Sequence, residues 1–192
     1  CLAYHDGVID TENGLNVSAE LFVGADGAAS PLRTAAGMEH QAQSYNDIGL
    51  VVHLTAQYAH QGTAFQWFRE DGILALLPMP DTADGPQVSM VWSMHTERAQ
   101  ALQALEPAAQ TQQLEAMLAM ATEGKLGRLQ VRSQLHGFPL TLERSQMVAP
   151  GIALVGDAAH RLHPLAGQGL NLGLGDVETL ARTVASREPY RS

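Results

Sequence analysis

GDAAHRLHPLAGQGLNLGLGD, residues 156–176, is the stretch on which the fold turns. It is crowded with glycine, which alone reads as loop. Yet the continuous apolar run GIALVG (151–156) leads into it. Leu170, Leu174, Val177, Leu180, Ala181 and Val184 continue from its end at helical spacing. A buried strand, a glycine-rich elbow and a helix start therefore come in that order. An aspartate at the carboxyl end of a buried parallel strand, here Asp157, points into the crevice where α/β proteins bind ligands. Such a carboxylate accepts hydrogen bonds from sugar or polyol hydroxyls. Gly167 and Gly169 carry no side chains, so backbone N–H groups approach a ligand closely. Those N–H groups open the last helix, whose dipole favours negative charge. Pro164 stiffens the approach.

A second elbow lies near the other end. LNVSAELFVG (15–24) alternates, becomes a solid apolar run and ends in the Asp26-Gly27 turn. Ser30-Pro31 then reads as an N-cap with proline at the first helical position, opening a short helix that stops near Gly37. Between the two elbows the texture changes. IGLVVHLTA (48–56), TAFQWFRE (63–70), GILALLPM (72–79) and PQVSMVWSMH (86–95) are strand-like runs. Glu70-Asp71-Gly72 reads as a hairpin connection and residues 81–86 as a longer loop. Val88, Met90, Trp92 and Met94 share one face at period two. That row, with Phe65 and Trp67 on a neighbouring run, either packs a core or lines a pocket for an apolar substrate; packing is the commoner use of such stripes. Residues 107–123 read as a helix ended by Gly124, and residues 129–138 as a further strand. The order predicts an α/β (α+β) protein. Residues 1–44 and 141–192 would be two parts of one nucleotide-binding domain, with an antiparallel substrate-binding sheet domain, 45–140, inserted between them.

Composition narrows the function classes. The 192 residues are 45% hydrophobic and 16% charged, a globular balance rather than a disordered one. A net charge of −9 argues against a nucleic-acid surface, which needs clustered Lys and Arg. Lys125 is the only lysine, and no basic run grips anionic lipid. Cys1 is the only cysteine, which excludes an intrachain disulfide and fits a reducing compartment. No apolar stretch is long enough to span a bilayer, and the opening residues do not resemble a signal peptide.

The elbow at 156–176 suits a ligand with a hydroxylated chain and a plane that becomes anionic. A reduced flavin has both, in its ribityl chain and its N1–C2=O edge. The other reading of these residues is a glycine-rich loop that only closes the fold. Asp157, His160 and His163 fall at i, i+3 and i+6, a spacing that chelates metal on a helix. Pro164 ends any such helix, so no metal is assigned. There is no G-x-S-x-G elbow, and Cys1 at the chain end is no credible nucleophile. No catalytic side chain is assigned.

VGDAAHRLHPLAGQGLNLGLGDVETL resembles the second flavin motif of the class A flavin monooxygenases, the para-hydroxybenzoate hydroxylase-like group. Its HPLAGQGLNLG form most closely resembles the ubiquinone-biosynthesis hydroxylases, which act on polyprenylated phenols. LFVGADGAASPLR (21–33) resembles the same group's D-G-x-x-S-x-x-R motif through Asp26, Gly27, Ser30 and Arg33. The resemblance implies an FAD-dependent hydroxylation of an aromatic ring through a C4a-hydroperoxyflavin, with NADH or NADPH as electron donor. It implies that Asp157 holds the ribityl chain, with Gly156 beside it among the cofactor-binding residues. Pro164, Gly167, Gln168 and Gly169 would line the flavin ring, with helix-start contacts from Leu170 and Asn171. Asp26 and Gly27 would touch the flavin or its pyrophosphate, and Arg33 would brace that motif.

Such an enzyme would be cytoplasmic, meeting its apolar phenolic substrate at the periphery of the inner membrane or within a biosynthetic complex. Two other readings are a flavin hydroxylase of a small soluble aromatic and a non-catalytic assembly module. The family's opening βαβ unit with G-x-G-x-x-G has no match here. The expectation is therefore an internal segment of a longer enzyme, inactive and binding FAD weakly or not at all by itself. Its exposed sheet edge would pair two copies into a homodimer.

Overall fold

The computed structural model describes residues 3–5, 7–163 and 167–187. Cys1 and Pro164, both singled out above, lie outside the described residues. The chain divides into two compact units. One holds the chain up to Gln43 and from Thr141 onward; the other is Ser44–Leu140.

The first unit opens with three short antiparallel strands, β1 (Ala3–His5), β2 (Val8–Asp10) and β3 (Asn16–Ser18). They are too short for a period-two pattern to register, and the sequence reading missed this sheet. The run expected as one strand over 15–24 is broken. Its alternating half forms β3, with Leu15 and Val17 exposed, and its apolar end forms β4 (Phe22–Gly24) in a different sheet. Helix α1 (Pro31–Ala35) is capped as predicted: the Ser30 Oγ accepts the Arg33 N–H at 3.0 Å, and Pro31 takes the first turn. Strand β5 (His40–Ala56) starts here and continues into the second unit.

The second unit is a sheet covered on one face by two helices. Its strands are β5, β6 (Phe65–Arg69), β7 (Gly72–Thr82) and β8 (Gly85–His95), in the order β5-β8-β7-β6 and all antiparallel. Helices α2 (Thr96–Gln103) and α3 (Pro107–Ala121) follow, and β9 (Leu129–Val131) pairs with β5. The Glu70-Asp71 turn makes the predicted hairpin. Gly72 is needed there: at φ +130° an added Cβ would lie 1.8 Å from the Ser93 carbonyl oxygen. Residues 81–86 are a tight connection rather than the expected longer loop, because Thr82 and Gly85 already pair.

Leu50 stands opposite Trp92, Val52 opposite Met90 and Leu54 opposite Val88. These side chains are buried with Leu74, Leu76, Leu102, Leu114 and Leu118 in one cluster. The Val88, Met90, Trp92 and Met94 row is therefore core, which overturns its reading as a pocket lining. Phe65 and Trp67 stack with centroids 6.0 Å apart, half-buried against the same cluster. The opposite face carries Val51, Ile73, Ala75 and Val91, all half-buried. Helix α2 was not foreseen. TERAQALQ has no apolar stripe and buries only Ala99 and Leu102.

The expected strand over 129–138 splits into β9 and β10 (His136–Ser145), which returns the chain to the first unit. There β11 (Val148–Ala149) and β12 (Ile152–Leu154) lead into a single 3-10 turn at Gly156–Ala158. Strand β13 (His160–Arg161) pairs with β10, and α4 (Gln168–Ala185) ends the described chain. Strand β12 lies parallel to β4, with Ile152 opposite Phe22 and Leu154 opposite Gly24, so the two elbows sit side by side. The sheet order β11-β12-β4 leaves β4 at an edge. Leu32, Met38, Ile152, Leu154, Ala158 and Ala159 form this unit's core.

Candidate functional site

The parallel pairing of β4 with β12 brings the two glycine-rich elbows to one end of the first unit's sheet. There the strand-end residues and the face of α4 enclose a cleft of about 530 Å³. Gly27 comes from the first elbow, Gly156 and Asp157 from the second, and Gly169 and Leu170 from the start of α4. Val155, Leu174 and Val177 add apolar wall. Five of the residues assigned from sequence thus line one concavity. Gly167 caps α4 at φ +64°, a left-handed conformation natural to glycine. Gln168 and Asn171 lie in the same first turn of that helix but not on the cleft wall.

Asp157 is exposed at the cleft. Its backbone sits in the 3-10 turn, directly after Gly156 at φ +60°. The N–H groups of the first turn of α4 have no partners within their own helix and point out of its start, as at any helix N-terminus. The cleft therefore brings together a carboxylate residue, a helix N-terminus and an apolar wall. That set fits the ribityl chain and ring edge of a flavin.

Asp26 and Arg33 do different work from the cleft residues. The Asp26 Oδ2 accepts the Leu32 N–H at 3.1 Å. Burial pushes its carboxyl up, but hydrogen bonds from Ser30, Leu32 and its own N–H, with the Arg33 charge, outweigh this and hold it below its ordinary value. Arg33 is buried. Its Nη1 donates to the Ala158 carbonyl at 2.9 Å and its Nη2 to the Ala28 carbonyl at 2.6 Å. It ties the first elbow to the second. Ser145 Oγ also donates to the Ala158 carbonyl, at 3.2 Å. Behind them the buried Glu143 Oε1 accepts from Arg161 Nη1 at 3.0 Å and from Thr141 Oγ1 at 2.7 Å.

Sequence reasoning missed two residues that hold the elbow. The Gly156 N–H donates to Asp176 Oδ2 at 2.9 Å. His160 Nε2 lies 2.8 Å from the same oxygen, a close electrostatic contact that lacks the alignment of a hydrogen bond. Gly173 allows the approach: a Cβ there would meet the Gly156 Cα at 3.3 Å. The sequence shows an aspartate inside the helix one turn after Gly173, which marks the residue but not the backbone group it holds. His160 thus faces Asp176 rather than forming a chelate with Asp157. Among the described residues no group of three His, Cys, Asp or Glu side chains is placed to hold a metal ion.

Comparison with known proteins gives concordant matches. A family model described as "FAD binding domain" matches residues 6–188. The 3-demethoxyubiquinol 3-hydroxylase of Escherichia coli is 35% identical over 189 residues, covering 97% of this chain and 46% of that protein. The ubiquinone hydroxylase UbiL of Rhodospirillum rubrum is 36% identical over 185 residues, covering 95% of this chain and 41% of its own length. The chain thus spans under half the length of these relatives. Among solved structures, PqsL of Pseudomonas aeruginosa, described as "a probable FAD-dependent monooxygenase", superposes with a TM-score of 0.75 at 22% identity. That match covers 93% of this chain and 49% of PqsL and concerns the fold.

Proposed function

The chain belongs to the FAD-binding-domain family, and from that premise we propose that its protein is an FAD-dependent monooxygenase of ubiquinone biosynthesis. It hydroxylates the ring of a polyprenylated phenol, with NAD(P)H as electron donor. The observation that carries this reading is the cleft, which is lined by the exposed Asp157 together with the glycine-rich start of α4. The two relatives named as ubiquinol or ubiquinone hydroxylases support the substrate class.

When bound, FAD supplies the redox chemistry and the activation of dioxygen. The protein's own residues bind, orient and exclude water. Asp157 would accept hydrogen bonds from the ribityl hydroxyls. Backbone N–H groups at the start of α4, at Gly169 and Leu170, would stabilise the flavin's negative charge after reduction, with the α4 dipole favouring that charge. Val155, Leu174 and Val177 keep water from the cleft wall. Gly27 leaves room for the cofactor's approach, and Asp26 and Arg33 hold the elbows in register from behind. Residues up to 44 and from 141 onward act as the flavin-binding part. The sheet of the second unit acts as the substrate-binding part, through its half-buried apolar face of Val51, Ile73, Ala75 and Val91. Among the described residues no helix is long and apolar enough to cross a membrane. We place the encounter with the greasy phenol at the membrane periphery.

The test is an FAD titration of the full-length protein, followed by flavin fluorescence, beside the Asp157→Ala variant. Tight binding by the wild type and a markedly weaker but measurable affinity in the variant are expected. A wild type that ignores FAD sinks the reading. NAD(P)H oxidation is then measured with a polyprenylated phenol and with a small soluble phenol carboxylate. Turnover of the second substrate alone would reassign the enzyme to soluble aromatics.

A further inference from the structure

We propose that Asp176 is a positioning residue of the flavin site: by accepting the Gly156 N–H and facing His160, it fixes the elbow that aims Asp157 into the cleft. The inference rests on the flavin reading above and adds to it the device that sets the geometry.

Asp176 is out of place for an ordinary helix residue. Aspartate is a poor interior helix former, and a carboxylate normally turns to water. Along α4 the large apolar side chains are the exposed ones, Leu170, Leu174 and Val177 among them. The Asp176 side chain is instead only 11% exposed and the His160 side chain 14%. Withdrawing a carboxylate from water is unfavourable unless it is hydrogen-bonded or paired. Here it is hydrogen-bonded: the Gly156 N–H donates to it at 2.9 Å, and His160 Nε2 lies 2.8 Å from the same oxygen.

The partner it captures is the informative part. Gly156 is the residue before Asp157 and holds a left-handed φ of +60°. Anchoring its N–H fixes the Val155–Gly156 peptide, so the chain enters the left-handed Gly156 from a set direction and Asp157 follows one residue later. The other end of the anchor is α4 itself, whose first turn supplies the ring-edge donors. Gly173, one turn before Asp176 on the same helix face, brings the two backbones close. Asp176 therefore sets the spacing between the ribityl acceptor and the helix-start donors. His160 holds the Asp176 side chain toward the elbow.

The experiment is a double-mutant cycle in the full-length protein, using Asp176→Leu, Asp157→Ala and the pair. FAD dissociation constants are measured by fluorescence titration, with the visible circular dichroism of the bound flavin as a second readout. Asp176→Leu leaves the Gly156 N–H without an acceptor and is expected to weaken FAD roughly 10-fold, with an altered dichroism band. Because Asp176 acts through Asp157, the double variant is expected to bind FAD no worse than Asp157→Ala alone. Asp176→Asn keeps an oxygen for the Gly156 N–H and is expected to restore near-wild-type affinity and spectrum. Losses that simply multiply, or an Asp176→Leu variant with unchanged affinity and spectrum, overturn the proposal. If Asp176→Leu does not fold, Asp176→Ser replaces it, since its shorter side chain falls short of Gly156. Equal affinity of the Ser and Asn variants then overturns the proposal. A wild type that does not bind FAD is a distinct outcome, which removes the flavin reading and this inference with it.

Discussion

Helices α3 and α4 are of similar length and both carry leucines at helical spacing, yet they use them in opposite ways. Helix α3 buries Leu114, Leu118 and Ala121 against the sheet of its own unit. Helix α4 buries no residue, and Leu170 and Leu174 stand 74% and 58% exposed. The inner stripe of α4 is instead Gly169, Gly173 and Asp176: small or polar groups that bring backbone to backbone. An amphipathic pattern therefore says that a helix has an apolar face, not that the face is spent on stability. In the second unit it closes a core. In the first it borders a cleft, and the contact that positions the helix is polar.

The same substitution placed in each helix breaks or sharpens this contrast, and it should give the largest effect. Leu118→Ala opens a cavity under the sheet and is expected to cost about 2–5 kcal/mol, read as a lower urea midpoint. Leu174→Ala removes an exposed side chain and is expected to change stability by less than about 0.5 kcal/mol, while weakening FAD binding in the full-length protein. Equal destabilisation by the two would show that α4 is a core helix after all. An FAD affinity untouched by Leu174→Ala would take this wall out of the cofactor site.

The two units also differ in how far their residues could be read before the structure. Asp157, Gly167 and Gly169 were legible because strand end, glycine and helix start form a local pattern with a direct physical use. The Ser30-Pro31 cap was legible for the same reason. The row from Val88 to Met94 showed its shared face plainly, but period two cannot say what covers that face. Only the pairing of Leu50 with Trp92, under helices α2 and α3, makes it core. Helix α2 stayed hidden because TERAQALQ buries two side chains and has no stripe. Strands β1 and β2 stayed hidden because three residues cannot display a period. Asp176 and Arg33 act on backbone groups 20 and 125 residues away, Gly156 and Ala158. No local spacing encodes those contacts.

A smaller effect is expected at Arg33. Replacing it with methionine keeps the bulk and removes the hydrogen bonds to the Ala158 and Ala28 carbonyls. The expected loss is about 1–3 kcal/mol, because these are charge-assisted bonds in a buried place and Ser145 still satisfies the Ala158 carbonyl. If the first unit depends on polar ties between its elbows, Arg33→Met also weakens FAD binding in the full-length protein, although Arg33 does not line the cleft. An unchanged affinity with the same stability loss would reduce Arg33 to a brace of its own motif.

The smallest effect belongs to the surface of the second unit, where polar contacts trim a structure already held by its core. Asp71, in the β6–β7 turn, accepts from Arg69 Nε at 2.8 Å and from Arg98 Nη1 at 2.7 Å. Burial pushes its carboxyl up, but the hydrogen bonds and charges of Arg69 and Arg98 outweigh that and hold it below its ordinary 3.8. The folded form therefore binds this proton less readily than the unfolded chain. Its stabilisation is present at neutral pH and is lost as the pH falls below 3.8 through the lowered folded value. Asp71→Asn removes it at all pH values. The variant is expected to be less stable than the wild type by about 0.2–1 kcal/mol near neutrality, and the gap should narrow on acidification. Urea unfolding of both proteins across that range measures it. A gap that stays constant down to the acid end would mean that Asp71 acts through the shape of its turn rather than through its charge.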